Sequence, residues 1–369
     1  MSLLVLNVGS SSVKYATYVR DGTSLPEVAR GQQARQAGLG HGEAIAADDL
    51  ALVAGILDAA ERDHGALEAV GHRMVHGGRA FLAPVRIDAR TLPAIAALAP
   101  LAPLHQPHNL MGVRAISKLR PNLAQVACFD TAFHRTQPEL NRRLPLPESY
   151  FDDGIERYGF HGLSYTWLAQ EIVRLRGAVP KRLLAFHLGA GSSACAMLDG
   201  RSHDTSMGFS TIDGLMMATR PGALDAGVIM HLLGQGATRE ELTDLLYTRS
   251  GLRGVSGLSA DMKALLASDD PAARRAIDMY CRRAAVVGAG LAVSLGGLDA
   301  IVFTGGIGEH APVIRTEIVA QLALLGATIS TERNARNESR LSPDAAAVEC
   351  WIVKADEERV IAEAVAGMV

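Results

Sequence analysis

Hydrophobic and polar positions along this chain state one plan twice. Residues 3–22, LLVLNVGSSSVKYATYVRDG, run apolar, then through a Gly/Ser cluster, then apolar again to an Asp-Gly; residues 183–200, LLAFHLGAGSSACAMLDG, do the same. Short runs rich in Val, Leu and Ala on either side of a Gly/Ser cluster read as strand, turn, strand. Asp21-Gly22 and Asp199-Gly200 then supply positive-φ positions for a tight turn into a third strand. Gly9 and Gly191 lie almost half the chain apart, so a duplicated domain accounts for the echo.

Between the copies the periodicity changes. Residues 30–49 are polar and Gly-rich, and LALVAGILDAAERD then spaces its apolar residues as a helix does. LEAVGHRMVHGG reads as strand and loop. The stretch Thr91 to Leu119 begins helical, is broken by Pro100, Pro103 and Pro107, and resumes as a helix before AQVACFDTAFH, a strand ending in a polar loop. PLPESYFDDGIERYG has the proline and charge of a linker, which puts a domain boundary near residue 148. The second half predicts a meander, helices over 222–248 and 259–296, a strand over 300–304, a Gly-rich turn and a helix over 312–325. The closing DEERVIAEAVAGMV is a short amphipathic helix. The expected domains are therefore 1–148, completed by a C-terminal helix 359–369, and 149–358. Strands alternating with helices in both halves predict an α/β fold with a cleft between the domains.

Composition narrows the function classes. In 369 residues the formal net charge is −3 and the 36 Lys and Arg are scattered, so nucleic acid is not an expected partner. Cys128, Cys195, Cys281 and Cys350 form no CxxC, which predicts neither a zinc site nor a disulfide framework and fits a reducing cytoplasm. The opening MSLLVLNVG has no basic leader. The longest apolar run, Ala284 to Leu298, has 15 residues, five of them Gly or Ser, against the roughly 20 that a bilayer requires. No membrane partner is expected; the run reads as a buried helix, a Gly-Gly turn and a strand.

Three glycine loops carry candidate chemistry. GAGSSA, residues 189–194, fits the GxGxxA dinucleotide pattern, but that pattern needs a helix to follow at once, and Asp199-Gly200 interrupts first. A hairpin is the better reading, and no GxxxxGK[ST] occurs. A turn made of Gly and Ser still presents backbone N–H groups as an anion-binding concavity. Two such hairpins would grip a polyphosphate from both sides. The third loop, in IVFTGGIGEHAPVIR, would let a nucleotide base or ribose lie against backbone. His72 and His76 have the spacing of metal ligands on a helix, yet GHRMVHGG reads as strand and loop without an HExxH glutamate, so zinc is not predicted.

A duplicated hairpin domain with Gly/Ser phosphate loops resembles the acetate and sugar kinase/Hsp70/actin superfamily. LNVGSSSVKY, VGHRMVHGG, PLHQPHNL, FDTAFHRTQP, RYGFHGLSY, HLGAGSS, DTSMGFS, ATRPGALD, FTGGIGE and ADEE, in this order from residue 3 to about 360, are similar to the acetate kinase family. The resemblance implies duplicated ribonuclease H-like (actin-like ATPase) domains, each a mixed sheet flanked by helices, and a homodimer formed through the second domain. It implies direct, reversible phosphoryl transfer from ATP to acetate with Mg2+ or Mn2+.

Carried over residue by residue, the resemblance puts Asn7, Ser10 and Ser12 on a phosphate loop. Arg73 and Arg220 would hold the carboxylate and the moving phosphoryl group, with His161 and His105 beside it. Asp130 and Glu357 would be the carboxylates associated with the metal, Asn7 joining Glu357 as a ligand. Val75, Leu104 and Phe160, with Thr211, would line the pocket for the acid's methyl end. Lys14, His187, Gly189, Gly191, Ser192, Asp261, Gly305, Gly306, Ile307 and Gly308 would meet ATP.

Elementary chemistry supports this. A carboxylate approaching a γ-phosphate brings two anions together, so positive charge and positioning must supply the catalysis. Guanidinium offers planar paired donors and stays charged when partly desolvated. An acid of pKa below about 5 is already ionised and needs no base, so Asp130 is expected to position rather than to abstract a proton.

The chain departs from the family pattern at Ala190 (usually Asn), Thr211 (usually Pro), Ala226 (usually Pro) and His310 (usually Asn). The alternatives are a propionate or butyrate kinase, since one methylene in an apolar pocket is worth only about 1–3 kcal/mol, and a nucleotide-gated binding module. The module would not need Arg73, Arg220 and His161 together.

Overall fold

The computed structural model describes residues 1–22, 24–35 and 45–369. It divides into two compact units, Met1–Phe133 with Asp356–Val369, and His134–Ala355.

The first unit is built on a six-stranded sheet of order β3-β2-β1-β4-β6-β5, with β1 Ser2–Val8, β2 Ser12–Val19, β3 Glu27–Ala34, β4 Leu67–Met74, β5 Val85–Arg86 and β6 Ala124–Phe129. β1, β2 and β3 form an antiparallel meander, and β4 and β6 continue it in parallel. Leu3, Leu4, Val5 and Leu6 of β1 are all buried because both faces of this central strand are covered. On one face the helices Ala47–His64 and Gln106–Leu119 bring Val53, Ile56, Leu57, Met111, Ala115 and Ile116 against Leu4, Leu6, Val8 and Val70. The C-terminal helix Glu357–Ala366 lies against β4, where Gly71 leaves no room for a Cβ beside Ile361 and Val365.

The second unit repeats the plan in a five-stranded sheet of order β11-β10-β7-β8-β9, with β7 Arg182–Leu188, β8 Ser192–Leu198, β9 Arg201–Thr205, β10 Ala300–Thr304 and β11 Glu349–Ile352. β7 to β9 are again an antiparallel meander, continued by parallel β10 and β11. The duplicated ribonuclease H-like arrangement is thus present in both units. GAGSSA is a hairpin, not a dinucleotide turn. The two Gly/Ser turns differ by a residue: Gly9 N–H donates to Ser12 O at 2.9 Å, whereas Gly189 N–H donates to Gly191 O at 3.1 Å.

Several boundaries differ from the sequence reading. Pro107 does not break a helix; it sits in the first turn of Gln106–Leu119, where a missing N–H costs nothing. The helix expected over 222–248 is two, Ala226–Gly234 and Arg239–Thr248, split at Gly236 (φ 93°) and restarted by a Thr238/Glu241 capping box. That over 259–296 is also two, Met262–Leu266 and Pro271–Ser294, the second started by Asp270, which accepts from Ala272 N–H. The Gly-rich turn after β10 is itself a helix, Gly305–His310. The linker-like stretch contains the short helix Glu148–Asp152. At the two Asp-Gly turns, Asp199, Gly200 and Gly22 have positive φ but Asp21 does not. The polar stretch 30–49 includes the end of β3, while 36–44 lie outside the described residues. Among the described residues no helix is long and apolar enough to cross a membrane.

Candidate functional site

In the first unit, register delivers the candidate residues. β1 pairs in parallel with β4 and β4 with β6, so Asn7 near the end of β1, Arg73 on β4 and Asp130 just after β6 emerge at the same edge of the sheet. Asp130 N–H donates to Met74 O at 2.9 Å, which fixes the chain as it leaves β6. Arg73 Nη2 donates to Asp130 Oδ2 at 2.6 Å, and its Nε reaches both carboxylate oxygens at 3.1 and 3.2 Å. Arg73 Nη1 donates to Asn7 Oδ1 at 3.4 Å, and Glu357 Oε2 stands 3.7 Å from Arg73 Nε. Burial works against the Arg73 charge, but Asp130 and Glu357 outweigh it and hold the guanidinium protonated. Burial pushes the Glu357 carboxyl above the usual range, opposed by Arg73 and Lys14 and reinforced by Glu358.

Asn7, Asp130 and Glu357 are oxygen donors of the type a hard divalent cation takes, and a cation beside Glu357 would favour the charged carboxylate that burial disfavours. Among the described residues no group of three or more His, Cys, Asp or Glu could hold a metal alone. The donor set therefore fits an ion held by one or two carboxylates and completed by substrate phosphates. His72 is a core residue bonded through Nε2 to Gln125 Oε1 at 2.8 Å, its pKa pushed down to about 4 by burial.

The loop after β4 carries Val75, which is buried. It is tied down by side chains that sequence reasoning did not single out. Asn109 accepts from Val75 N–H at 3.0 Å and donates to Val8 O at 2.8 Å; Gln106 Oε1 accepts from His76 N–H; Thr131 Oγ1 accepts from Gly77 N–H at 2.9 Å. All three lie inside the quoted motifs PLHQPHNL and FDTAFH, so the signal was present but unassigned. His105 opens the helix Gln106–Leu119, while Leu104 is partly exposed. The Gly9–Ser11 turn is held by Arg35, whose main-chain N–H donates to Ser11 O at 2.8 Å and whose Nη1 donates to Gly9 O at 3.2 Å. Arg35 is itself clamped by Asp49 at 2.5 and 2.6 Å and by His108 Nδ1 at 2.8 Å. Ser10 and Lys14 are exposed and Ser12 half-buried, starting β2.

In the second unit, His161 ends the chain entering the helix Gly162–Arg176 with φ 59°, a left-handed conformation uncommon outside glycine. Its ring stacks on His187 with centroids 4.2 Å apart, and its Nδ1 lies 2.8 Å from Ser193 Oγ. A Cβ built on Gly191 would stand 3.3 Å from His161 Nε2 and 3.7 Å from Arg220 Nη2, so both side chains converge on the Gly189–Gly191 turn. Arg220 Nη1 donates to Thr211 O at 2.8 Å. That carbonyl contact would exist with any residue at 211. Phe160 is buried and its carbonyl accepts from His134 Nε2 at 2.9 Å.

Ser192 faces inward: its hydroxyl donates to Gly189 O at 3.0 Å and meets Tyr280 at 3.0 Å. Asp261 caps the helix Met262–Leu266, accepting from Lys263 N–H at 3.0 Å. Gly305, at φ 78°, has Leu188 O 2.7 Å from where a Cβ would be, and Gly306 faces open space. Ile307 and Gly308 complete that turn. Glu309 Oε1 accepts from Gly305 N–H and from Ala355 N–H, each at 3.0 Å. The buried Arg315 donates to Gly308 O and Glu309 O at 2.8 and 2.9 Å. Neither clamp was legible, because a glutamate and an arginine beside a helix read as solvated charge. Ala190 is exposed at the tip of its turn, and Ala226 and His310 are exposed as well.

A profile described as the acetokinase family matches residues 2–363. The acetate kinase of Rhodopseudomonas palustris strain TIE-1 is 43% identical, covering 98% of this chain and 96% of its own. Among solved structures, a propionate kinase from Francisella tularensis superposes with a TM-score of 0.87 at 32% identity, covering 98% of each chain. The acetate kinase of Porphyromonas gingivalis does so at 0.86 and 31%, covering 100% of this chain and 99% of its own.

Proposed function

The chain belongs to the acetokinase family, and on that footing we propose its reaction: reversible transfer of the γ-phosphoryl group of ATP to acetate, giving acetyl phosphate and ADP. A carboxylate oxygen forms the new P–O bond in line as the bond to ADP breaks, with no covalent enzyme intermediate. The observation that carries this reading is the convergence of Arg220 and His161 on the Gly189–Gly191 turn. A phosphate seated on that turn meets two cationic or donor groups at once, which suits charge spread over the equatorial oxygens of a transferring phosphoryl group.

Arg73 serves the acid side. Its donors match a carboxylate in pairs, and Val75, Leu104 and Phe160 supply apolar surface for a short alkyl end. Asp130 accepts from Arg73 through both oxygens, an arrangement that positions charge rather than removes a proton. Magnesium, or manganese, held by Asn7 and Glu357 with Asp130 near, would supply charge neutralisation for the phosphates. Asn7, Ser10 and Ser12 with Lys14 serve phosphate in the first unit; His187, Gly189, Gly191, Ser192, Asp261 and Gly305 to Gly308 serve the nucleotide in the second; His105 supports the transfer. Four buried free cysteines support a reducing, cytoplasmic location.

Hydroxylamine trapping of acyl phosphate with MgATP and acetate, propionate or butyrate tests the activity. Product is expected with acetate at the highest kcat/KM. A higher value with propionate or butyrate would move the assignment to that acid, and no product with any acid despite ATP binding would favour the binding module.

The proposal extends to a homodimer formed through the second unit. No residue of the helix Ala226–Gly234, AGVIMHLLG, is buried, and Met230 is 68% exposed. The long helix Pro271–Ser294 exposes Met279, Val286 and Val293 at seven-residue intervals, a stripe that fits its own copy. Light scattering behind gel filtration is expected to give twice the 39.0 kDa chain mass, and Met230→Asp with Val286→Asp to return the single mass. A wild-type monomer at micromolar concentration would overturn the dimer.

A further inference from the structure

The second unit contains a buried chain of hydroxyl groups running to His161. Tyr165, one turn into the helix Gly162–Arg176, places its hydroxyl 2.6 Å from Ser193 Oγ, and Ser193 Oγ lies 2.8 Å from His161 Nδ1. Tyr165 and Ser193 are both fully buried.

Donor and acceptor arithmetic gives this chain a direction. A phenol is the stronger donor and an aliphatic hydroxyl the stronger acceptor, so the Tyr165 proton turns toward Ser193 Oγ. Burial raises the Tyr165 pKa well above its ordinary value, so that proton stays in place at any working pH. Ser193 Oγ, having accepted from the phenol, points its single proton at His161 Nδ1. An imidazole that accepts at Nδ1 carries its proton on Nε2 when neutral. Nε2 is the nitrogen that faces the Gly189–Gly191 turn beside Arg220 Nη2. Resting on the reading of His161 as a phosphoryl-stabilising donor, we infer that Tyr165 and Ser193 are positioning residues that hold His161 as the Nε2–H tautomer, keeping a donor aimed at the transferring group.

The sequence shows why the device is built this way. β8 alternates its side chains, so Ser192 and Ser193 point to opposite faces. Ser192 closes the turn with Tyr280, while Ser193 reaches across to the helix that His161 begins. The left-handed backbone of His161 turns its ring back over β7, where stacking on His187 fixes the ring plane. Two roles that could have fallen to one serine are divided between neighbours.

Long-range 1H–15N spectra of protein labelled at histidine read the tautomer directly, with the His161 signals assigned by their loss in His161→Gln. The wild type is expected to show Nε2 protonated and Nδ1 bare at neutral pH. Tyr165→Phe and Ser193→Ala are expected to turn this into a mixture and to lower kcat about tenfold, leaving KM for ATP within twofold, as loss of orientation without loss of binding would. A wild-type His161 protonated at Nδ1 overturns the inference whatever the variants do. So does a tautomer and kcat that neither substitution moves. The kinase reading fails separately: if His161→Gln keeps full turnover, His161 is not a transfer residue even where the tautomer is as expected.

Discussion

Arg73→Ala is expected to lower kcat for acyl phosphate formation by about 10³-fold, the lower end of what a transition-state arginine contributes to phosphoryl transfer. Two effects act together. The guanidinium that pairs with an incoming carboxylate is gone, so two anions meet without the charge that offsets their repulsion. The residues it organised are also released: Asp130, 1% exposed, loses its three N–H contacts, and Glu357, already pushed toward its neutral form, loses the cation that opposes this. Removing one partner of a buried pair costs about 3–5 kcal/mol; Arg73 keeps some exposure, so a loss at or below the low end of that range is expected. Arg73→Lys should recover little of the rate, because an ammonium cannot span both Asp130 oxygens and still reach Asn7. Steady-state kinetics beside thermal melts separate the two effects. An Arg73→Ala enzyme that folds and turns over within tenfold of wild type would remove Arg73 from the reaction.

The parts of this architecture that were legible in the sequence are those where one physical signal dominates. The first two strands of each meander were, because apolar runs flank a sharp Gly/Ser turn, and the strand Ala300–Thr304 was, for the same reason; β3, EVARGQQA, has no buried residue and carried no such signal. What was not legible depends on specific side-chain contacts and positions that composition does not announce. Gly305, Gly306 and Gly308 read as helix breakers, yet the segment is helical because the Glu309 carboxylate returns to Gly305 N–H and Arg315 holds the last carbonyls. Pro107 read as a break because composition does not distinguish the first turn of a helix from its interior. The candidate residues Asn7, Arg73, Asp130 and Glu357 came from motif resemblance. Strand register explains why the first three share an edge, and no local pattern near Glu357 foretold its burial beside Arg73.

Gly251 shows the same hidden dependence, and Gly251→Ala is expected to be a strongly damaging single-methyl change in the second unit. The residue fell between the predicted helices and carries no motif weight, yet it begins the helix Gly251–Ser256 at φ 64°. An added Cβ would collide with Met217 O and stand 2.7 Å from Arg220 O and 2.9 Å from Arg220 N. Those atoms are main chain and cannot rotate away. They belong to the segment 217–220, which is stitched to the same junction by Leu252 N–H to Met217 O at 2.9 Å, Arg253 N–H to Ala218 O at 3.0 Å and Ser250 N–H to Thr219 O at 3.0 Å. The left-handed conformation costs a non-glycine residue roughly 1–2 kcal/mol, and overpacking adds about 1–3 kcal/mol. A destabilisation of about 2–5 kcal/mol follows from their sum. Relief requires the segment to move, and Arg220 moves with it. A displacement of about 1 Å in a group that positions a reacting phosphoryl can cost about 10²-fold in rate. The variant is therefore expected to lose kcat by about that factor even at temperatures where it remains folded, while hydrogen exchange quickens at Leu252 and Arg253. A Gly251→Ala protein with wild-type melting temperature and turnover would mean that the Arg220 segment is not held by this junction.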